Sequence, residues 1–148
     1  HQVHSPGECT LTEGRHFAGE LLPVGCGILR WMNDVFCINE RVVLSGTWRY
    51  GAMHVTAVGA ANVGNIYMNF DPSLKTNSTR DLTVHCGGDV ASRLYNDGVR
   101  LEAGDAMGGF RLGSTVVLVF ESPPDFEWAV PLGRSVRVGE ALGHAAGR

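Results

Sequence analysis

The run Thr115-Val116-Val117-Leu118-Val119-Phe120 constrains the fold more than any other stretch. β-Branched residues lose side-chain freedom in a helix and pack well on a pleated surface. A short, unbroken apolar run of them predicts a buried strand. Directly upstream, Gly109-Phe110-Arg111-Leu112-Gly113 and Ser114 bring a Gly-Ser pair to the mouth of that strand. A strand needs partners, and the rest of the chain offers short apolar segments punctuated by glycine and proline. With 148 residues and 44% hydrophobic content, one domain with its own core is expected. Only 18% of the residues are charged and the net charge is −3, so nucleic acid is not an expected partner. No apolar run reaches the ~18 residues that a membrane-spanning helix requires.

From the N-terminus, Cys9-Thr10-Leu11-Thr12 and Leu21-Leu22 read as short strands. Ile28, Leu29, Trp31, Met32, Val35 and Phe36 recur at i, i+1, i+3, i+4, i+7 and i+8, which predicts one helix with a broad apolar face. Gly27 precedes it and Asn39 ends it. Packing on the core is the first reading of that face. The other is that Leu29, Trp31, Met32 and Phe36 meet a lipid bilayer or an acyl-chain entrance. Val42-Val43-Leu44 and Trp48-Arg49-Tyr50 predict a hairpin turning at Ser45-Gly46-Thr47. Met53 to Val58 and Val63 to Phe70 predict two further strands, with Gly59 and Gly64 marking bulges or close backbone approach. Residues 71–98 read as the longest loop region, crossed by one strand near Leu82-Val84. The triplet Asn77-Ser78-Thr79 fits a glycosylation sequon but is read as ordinary surface loop.

Near the C-terminus, residues 101–108 (Leu-Glu-Ala-Gly-Asp-Ala-Met-Gly) are echoed by residues 136–143 (Val-Arg-Val-Gly-Glu-Ala-Leu-Gly). Each copy predicts a tight glycine turn between two short strands, similar to the hairpins of lipoyl- and biotin-carrier folds. Both copies lack the central lysine that a carrier modifies. The expected fold is therefore mainly β: a compact sandwich- or barrel-like domain with carrier-like hairpins and one or two helices. Cys9, Cys26, Cys37 and Cys86 form no Cys-x-x-Cys pair and read as scattered buried thiols, with Cys37 in the core.

Leu112-Gly113-Ser114-Thr115 resembles the self-cleavage motif of phosphatidylserine decarboxylases, in the Leu-Gly-Ser-Thr form of the mitochondrial and bacterial branch. His1-Gln2-Val3-His4-Ser5-Pro6 resembles that family's His-x-x-His-x-Pro segment. The stretches Asn39-Glu40-Arg41-Val42-Val43-Leu44, Thr56-Ala57-Val58-Gly59-Ala60 through Asn62-Val63-Gly64, and Gly139-Glu140-Ala141-Leu142-Gly143 follow in the family's order. The resemblance spans nearly the whole chain. It implies cleavage between Gly113 and Ser114 into a β-chain (residues 1–113) and an α-chain (residues 114–148). Ser114 would become a covalent pyruvoyl cofactor, the site of Schiff-base formation with the substrate amine. The implied reaction converts phosphatidylserine to phosphatidylethanolamine. A homodimer at a membrane lipid surface is implied as well, on the mitochondrial inner membrane in a eukaryote or the cytoplasmic membrane in a bacterium. Because the match starts in mid-motif at His1, an upstream part with a catalytic Asp and membrane-anchoring helices is expected to precede it.

The residue chemistry agrees with that assignment. Attack by the Ser114 hydroxyl on the Gly113 carbonyl needs an unusual backbone conformation, which glycine adopts at low steric cost. A serine hydroxyl also needs a base, and histidine has the side-chain pKa nearest neutrality. By the resemblance, His4 is the base for self-cleavage and His1 serves decarboxylation by positioning substrate or handling a proton. His16, His54, His85 and His144 read as surface or packing residues. Leu112, Thr115, Trp31 and Phe36 are the candidate substrate-binding residues. No metal is expected. A zinc site from His1, His4, Cys9 and His16 would leave Gly113-Ser114 unexplained. A serine hydrolase would want a glycine two places after Ser114, where Val116 stands. The remaining alternative is an uncleaved, inactive fragment that acts only as a β-fold binding or structural domain.

Overall fold

The computed structural model describes residues 1–61, 65–77, 90–111 and 115–145, with the backbone alone for Cys26. Leu112, Gly113 and Ser114 lie outside the described residues, as do Asn62-Val63-Gly64, the expected strand at Leu82-Val84, His85, Cys86 and most of the sequon. The fold is mainly β, as expected. The strands are β1 (Gln2–His4), β2 (Cys9–Phe17), β3 (Arg41–Trp48), β4 (Gly51–Val58), β5 (Ile66–Met68), β6 (Val90–Leu101), β7 (Ala106–Phe110), β8 (Thr115–Phe120), β9 (Phe126–Trp128) and β10 (Gly143–Ala145). An antiparallel five-stranded sheet runs β6-β2-β3-β4-β8. A three-stranded sheet runs β1-β7-β5, and β9 pairs with β10.

Alternation builds the core from both larger sheets. Leu11, Val42, Leu44, Met53, Val55 and Ala57 from the five-stranded sheet form one cluster with Val3, Ile66, Met68, Met107 and Phe110 from the three-stranded sheet. The two sheets therefore share a single apolar interior. Gly108 and Gly109 let β7 fit between its neighbours: a Cβ on Gly108 would meet the Tyr67 carbonyl oxygen at 2.1 Å, and one on Gly109 the His1 carbonyl oxygen at 2.4 Å.

The valine-rich run is a strand, but it is not buried. Among the described residues β8 pairs only with β4 at the sheet edge, leaving Val116 46% and Val119 58% exposed. Apolar content identifies a strand without saying whether it is central.

Ser45-Gly46-Thr47 is not a turn. It lies inside β3, and the hairpin turns two residues later at Arg49-Tyr50, where Trp48 faces Gly51. Gly46 is required by a bulge on the neighbouring strand. The β2–β3 register jumps between Leu11 and Glu13, and a Cβ on Gly46 would meet the Thr10 carbonyl oxygen at 2.1 Å. The same extra residue, Thr12, reverses the inward parity of β2. Cys9 and Leu11 face the core before it, and His16 is buried after it.

The expected loop over 71–98 instead ends in a long strand. Asn96-Asp97-Gly98 lies within β6, in the bulge opposite Thr12, with Gly98 at φ +65°. Beside this bulge Tyr95 packs edge-on against Phe70, and Arg93 pairs with the buried Asp71. Burial and the Asp71 carboxylate push the Tyr95 phenol up from 10.0 to about 12. An unfolded chain would lose that proton near 10, so stability should hold up to about pH 10 and fall between about 10 and 12. Denaturant titrations across that range, with Tyr95→Phe flattening the fall, check this.

The expected continuous helix is broken. Cys26–Leu29 (α1) and Val35–Ile38 (α2) are single turns, separated by a segment in which Asp34 sits at φ +61°. Val35 alone of the apolar set is fully buried, whereas Trp31 is 92% exposed. Core packing of the whole face is therefore corrected, and Cys37 is exposed instead of buried. Leu21-Leu22 forms no strand, and of the strand expected from Val63 to Phe70 the described residues 65–70 hold only β5, with Asn69-Phe70 in a turn.

The repeated turn is present twice in atomic detail. Glu102 N–H donates to the Asp105 carboxylate at 2.8 Å and Asp105 N–H returns to the Glu102 carbonyl at 3.1 Å. Arg137 and Glu140 repeat both bonds at 2.9 and 3.0 Å. The intervening Gly104 and Gly139 stand at φ +88° and +81°, as a type II turn requires. Only the first copy joins two strands, β6 to β7; the second lies in the connection from β9 to β10.

Candidate active site

β1 carries His4, and His1 directly precedes it, alongside β7. Gln2 pairs with Gly109 and Val3 with Gly108, and a bulge at Met107 then brings His4 opposite Ala106. Beyond the ladder the His1 backbone closes a two-way pair with Phe110: Phe110 N–H donates to the His1 carbonyl at 2.8 Å and the His1 nitrogen donates back at 3.2 Å. From Phe110 the chain continues directly to Gly113-Ser114. The structure thus places the His-x-x-His segment beside the strand that leads into the Gly-Ser pair. Val3 and Ser5 are buried, so strand alternation puts half-buried His4 on the face opposite them and exposed His1 on theirs.

The strands before and after the Gly-Ser pair belong to different sheets. Arg111 N–H donates to the Asn65 carbonyl at 3.2 Å, and on the other side Thr115 pairs with Val58. Residues 59–65 make the matching connection, from β4 to β5, just as 111–114 join β7 to β8. Because β4 pairs with β8 and β5 with β7, the two connections span the same pair of sheets. Half-buried Thr115 starts β8, whose other end is fixed as well. Phe120 packs on Trp48, Phe126 and Trp128, and the Glu121 backbone exchanges bonds with Trp48 Nε1 and Ala52.

A buried polar node supports the second connection, and the sequence reading gave it no role. Asn39 and Glu40 are 0% and 1% exposed. Glu40 Oε1 lies 2.8 Å from His16 Nε2 and also accepts the Asn77 N–H at 2.8 Å. His16 is therefore the partner of a buried carboxylate, not merely a packing residue. Burial also lowers the pKa of Arg41, which donates to the Cys37 and Asn39 carbonyls. A readable signal existed: two strongly polar residues stand between Ile38 and the apolar Val42-Val43-Leu44.

The other candidates disperse. Trp31 lies in the exposed segment between the two short helices, with Ile28 and Met32 also exposed, while Phe36 is half-buried. His54 Nδ1 is 3.0 Å from Ser45 Oγ, and exposed His144 lies 3.9 Å from Glu127. Cys9 is buried against Ser5, 3.4 Å between Sγ and Oγ. Among the described residues, no three His, Cys, Asp or Glu side chains converge to hold a metal ion.

The sequence profile of the phosphatidylserine decarboxylase family matches residues 1–144, and the chain belongs to that family. It is 48% identical to the mitochondrial phosphatidylserine decarboxylase proenzyme 1 of Toxoplasma gondii, over 97% of this chain and 34% of that protein. It is 45% identical to the mitochondrial phosphatidylserine decarboxylase proenzyme of Pongo abelii, over 97% of this chain and 35% of that one. The mitochondrial proenzyme 2 of Schizosaccharomyces pombe is 44% identical, over 96% and 28%. The chain thus spans about a third of the length of these relatives.

Proposed function

We propose that this chain is the catalytic core of a phosphatidylserine decarboxylase that cuts itself between Gly113 and Ser114 and carries a pyruvoyl group derived from Ser114. The observation that carries this reading is the anchoring of the Gly-Ser connection. Arg111 is held by Asn65, Thr115 by Val58, and the His1–His4 strand runs beside the approach to it.

In this reading the Ser114 hydroxyl attacks the Gly113 carbonyl, and the peptide C–N bond is exchanged for an ester. Removal of the Ser114 α-proton then breaks the ester C–O bond. Residue 113 leaves as a carboxylate and residue 114 becomes dehydroalanine, which water converts to a pyruvoyl group with release of ammonia. His4 is the base that moves the protons. The severed chains stay together because 115–120, on the new chain, remain paired with β4 of residues 1–113. A group at the head of β8 would thus be held by a rigid ladder, which fits a covalent cofactor at residue 114. When formed, it supplies an electrophilic carbonyl for the substrate amine and a sink for the electrons left by departing CO2. His1, at the Phe110 end of the ladder, is assigned proton handling or substrate positioning, and Leu112 and Thr115 the walls around the reacting carbon.

The substrate is a membrane lipid, and the exposed Trp31 with Ile28 and Met32 is the assigned contact with its surface. Tryptophan combines a large apolar body with a polar N–H, which suits the boundary between headgroups and acyl chains. Among the described residues no helix is long and apolar enough to cross a membrane. A mitochondrial membrane is the proposed location, since the relatives named above carry that designation. A homodimer is proposed with it. Trp31→Ala should weaken sedimentation with phosphatidylserine-containing vesicles about 10- to 150-fold, since burying a large apolar side chain contributes ~1.5–3 kcal/mol. Unchanged sedimentation would remove Trp31 from the lipid contact.

Decarboxylation itself is tested by incubating the full-length protein with phosphatidylserine and cyanoborohydride. A lipid adduct on the chain beginning at residue 114, absent from Ser114→Ala, is expected. An adduct elsewhere, or none alongside measurable CO2 release, contradicts the assignment.

A further inference from the structure

We infer that the Asn39 carboxamide is a positioning residue for cleavage at Gly113-Ser114. The inference rests on the proposed self-cleavage and adds to it a residue that touches neither reacting group. Asn39 is completely buried, and its amide is fully committed. Oδ1 accepts the Leu22 N–H at 2.9 Å, while Nδ2 donates to the Leu22 carbonyl at 2.8 Å and the Gly59 carbonyl at 2.9 Å. The side chain acts as a short length of strand, joining the segment that bridges Asn39 at Glu20 to the residue after β4.

Gly59 is where this matters. Its carbonyl is held by Asn39 Nδ2, and its N–H donates to the Glu40 carbonyl at 2.8 Å. The preceding residue, Val58, is the cross-strand partner of Thr115, the residue that follows Ser114. The connection that begins at Gly59 ends at Asn65, whose carbonyl holds Arg111. One buried amide thus fixes Gly59, the residue next to Val58, whose partner Thr115 follows the Gly-Ser pair. Intramolecular attack is sensitive to such placement, because an error of ~1 Å in the reacting atoms can lower a rate by about 100-fold. No other asparagine or glutamine side chain is needed: among the described residues, Asn39 is the side chain that bonds to Gly59.

The test compares cleavage rates of the full-length precursor carrying Asn39→Ala, Asn39→Asp or Val42→Ala. Val42 is a buried apolar residue of β3 whose truncation weakens the same sheet without touching Gly59. Cleavage is followed by denaturing electrophoresis on the folded fraction, with the thermal midpoint recorded for each variant. Asn39→Ala should cut about 100-fold more slowly than wild type, and Val42→Ala, at a comparable midpoint, near the wild-type rate. Asn39→Asp keeps the Leu22 N–H acceptor but loses the donor to the Leu22 and Gly59 carbonyls. Relative to wild type at the same pH, its cleavage should recover as the pH is lowered and the carboxyl regains a proton, a profile that Val42→Ala would not share. Equal rates for the Asn39 and Val42 variants at equal stability would overturn the inference alone. So would failure of both Asn39 variants to fold, which would make Asn39 a residue of stability only. Wild-type protein that stays uncut would overturn the proposed self-cleavage, and this inference with it.

Discussion

His4→Ala leaves the full-length protein uncut, or cuts it about 100- to 10,000-fold more slowly, the range lost when a general base is removed. The expectation follows from where β1 lies. Its pairing with β7 runs from His4, opposite Ala106, across the bulge at Met107 to the His1–Phe110 pair, so His4 belongs to a ladder whose other end leads toward the Gly-Ser pair. His1→Ala should behave differently. Its backbone bonds to Phe110 are independent of the imidazole, so cleavage should proceed near the wild-type rate while decarboxylation falls. Time courses of cleavage for both variants, with CO2 release from the cut material, separate the roles. If His1→Ala blocks cleavage and His4→Ala does not, the roles are reversed.

The second large effect is on stability. Glu40→Ala removes a carboxylate that is 1% exposed and leaves His16 Nε2 and the Asn77 N–H facing an apolar gap. Breaking a buried pair by deleting one partner costs about 3–5 kcal/mol, a fall in Tm on the order of 10 °C for a domain of this size. Glu40→Gln keeps an acceptor for Asn77 and should lose much less. Calorimetry on both variants decides this. An alanine variant as stable as the glutamine one would show that the pair contributes little.

The sheet character of this chain was legible because apolar, β-branched runs separated by glycine have few alternatives. Its punctuation was harder to read. Gly46 and Asn96-Asp97-Gly98 look like turns locally, yet both belong to the bulge on β2, a feature made by three strands at once. The bulge also explains why His16 was read as unremarkable. Counting by two from Leu11 puts Glu13 and Arg15 inward, and only the extra residue at Thr12 turns His16 toward Glu40. Trp31 fits a helical period with Val35 and Phe36, but Asp34 at φ +61° breaks the helix between them. The candidate site was legible in a different way, through motif resemblance at His1-Gln2-Val3-His4 and Leu112-Gly113-Ser114-Thr115. The strand pairing lays the first of these segments against β7, the strand that precedes the second in the chain. Asn39 and Glu40 belong to a matching motif too, but their role depends on Leu22, Gly59, His16 and Asn77, which no local pattern connects.

The most direct test of the central claim is the intact mass of the full-length protein under denaturing conditions, with Ser114→Ala measured alongside. The expected result is two chains, one ending at Gly113 and one beginning at residue 114 with the mass of a pyruvoyl group in place of serine and no free amino terminus. The Ser114→Ala protein should give a single uncut mass. A single uncut mass from the wild-type protein would contradict self-processing and leave a β-fold domain of the family without its cofactor.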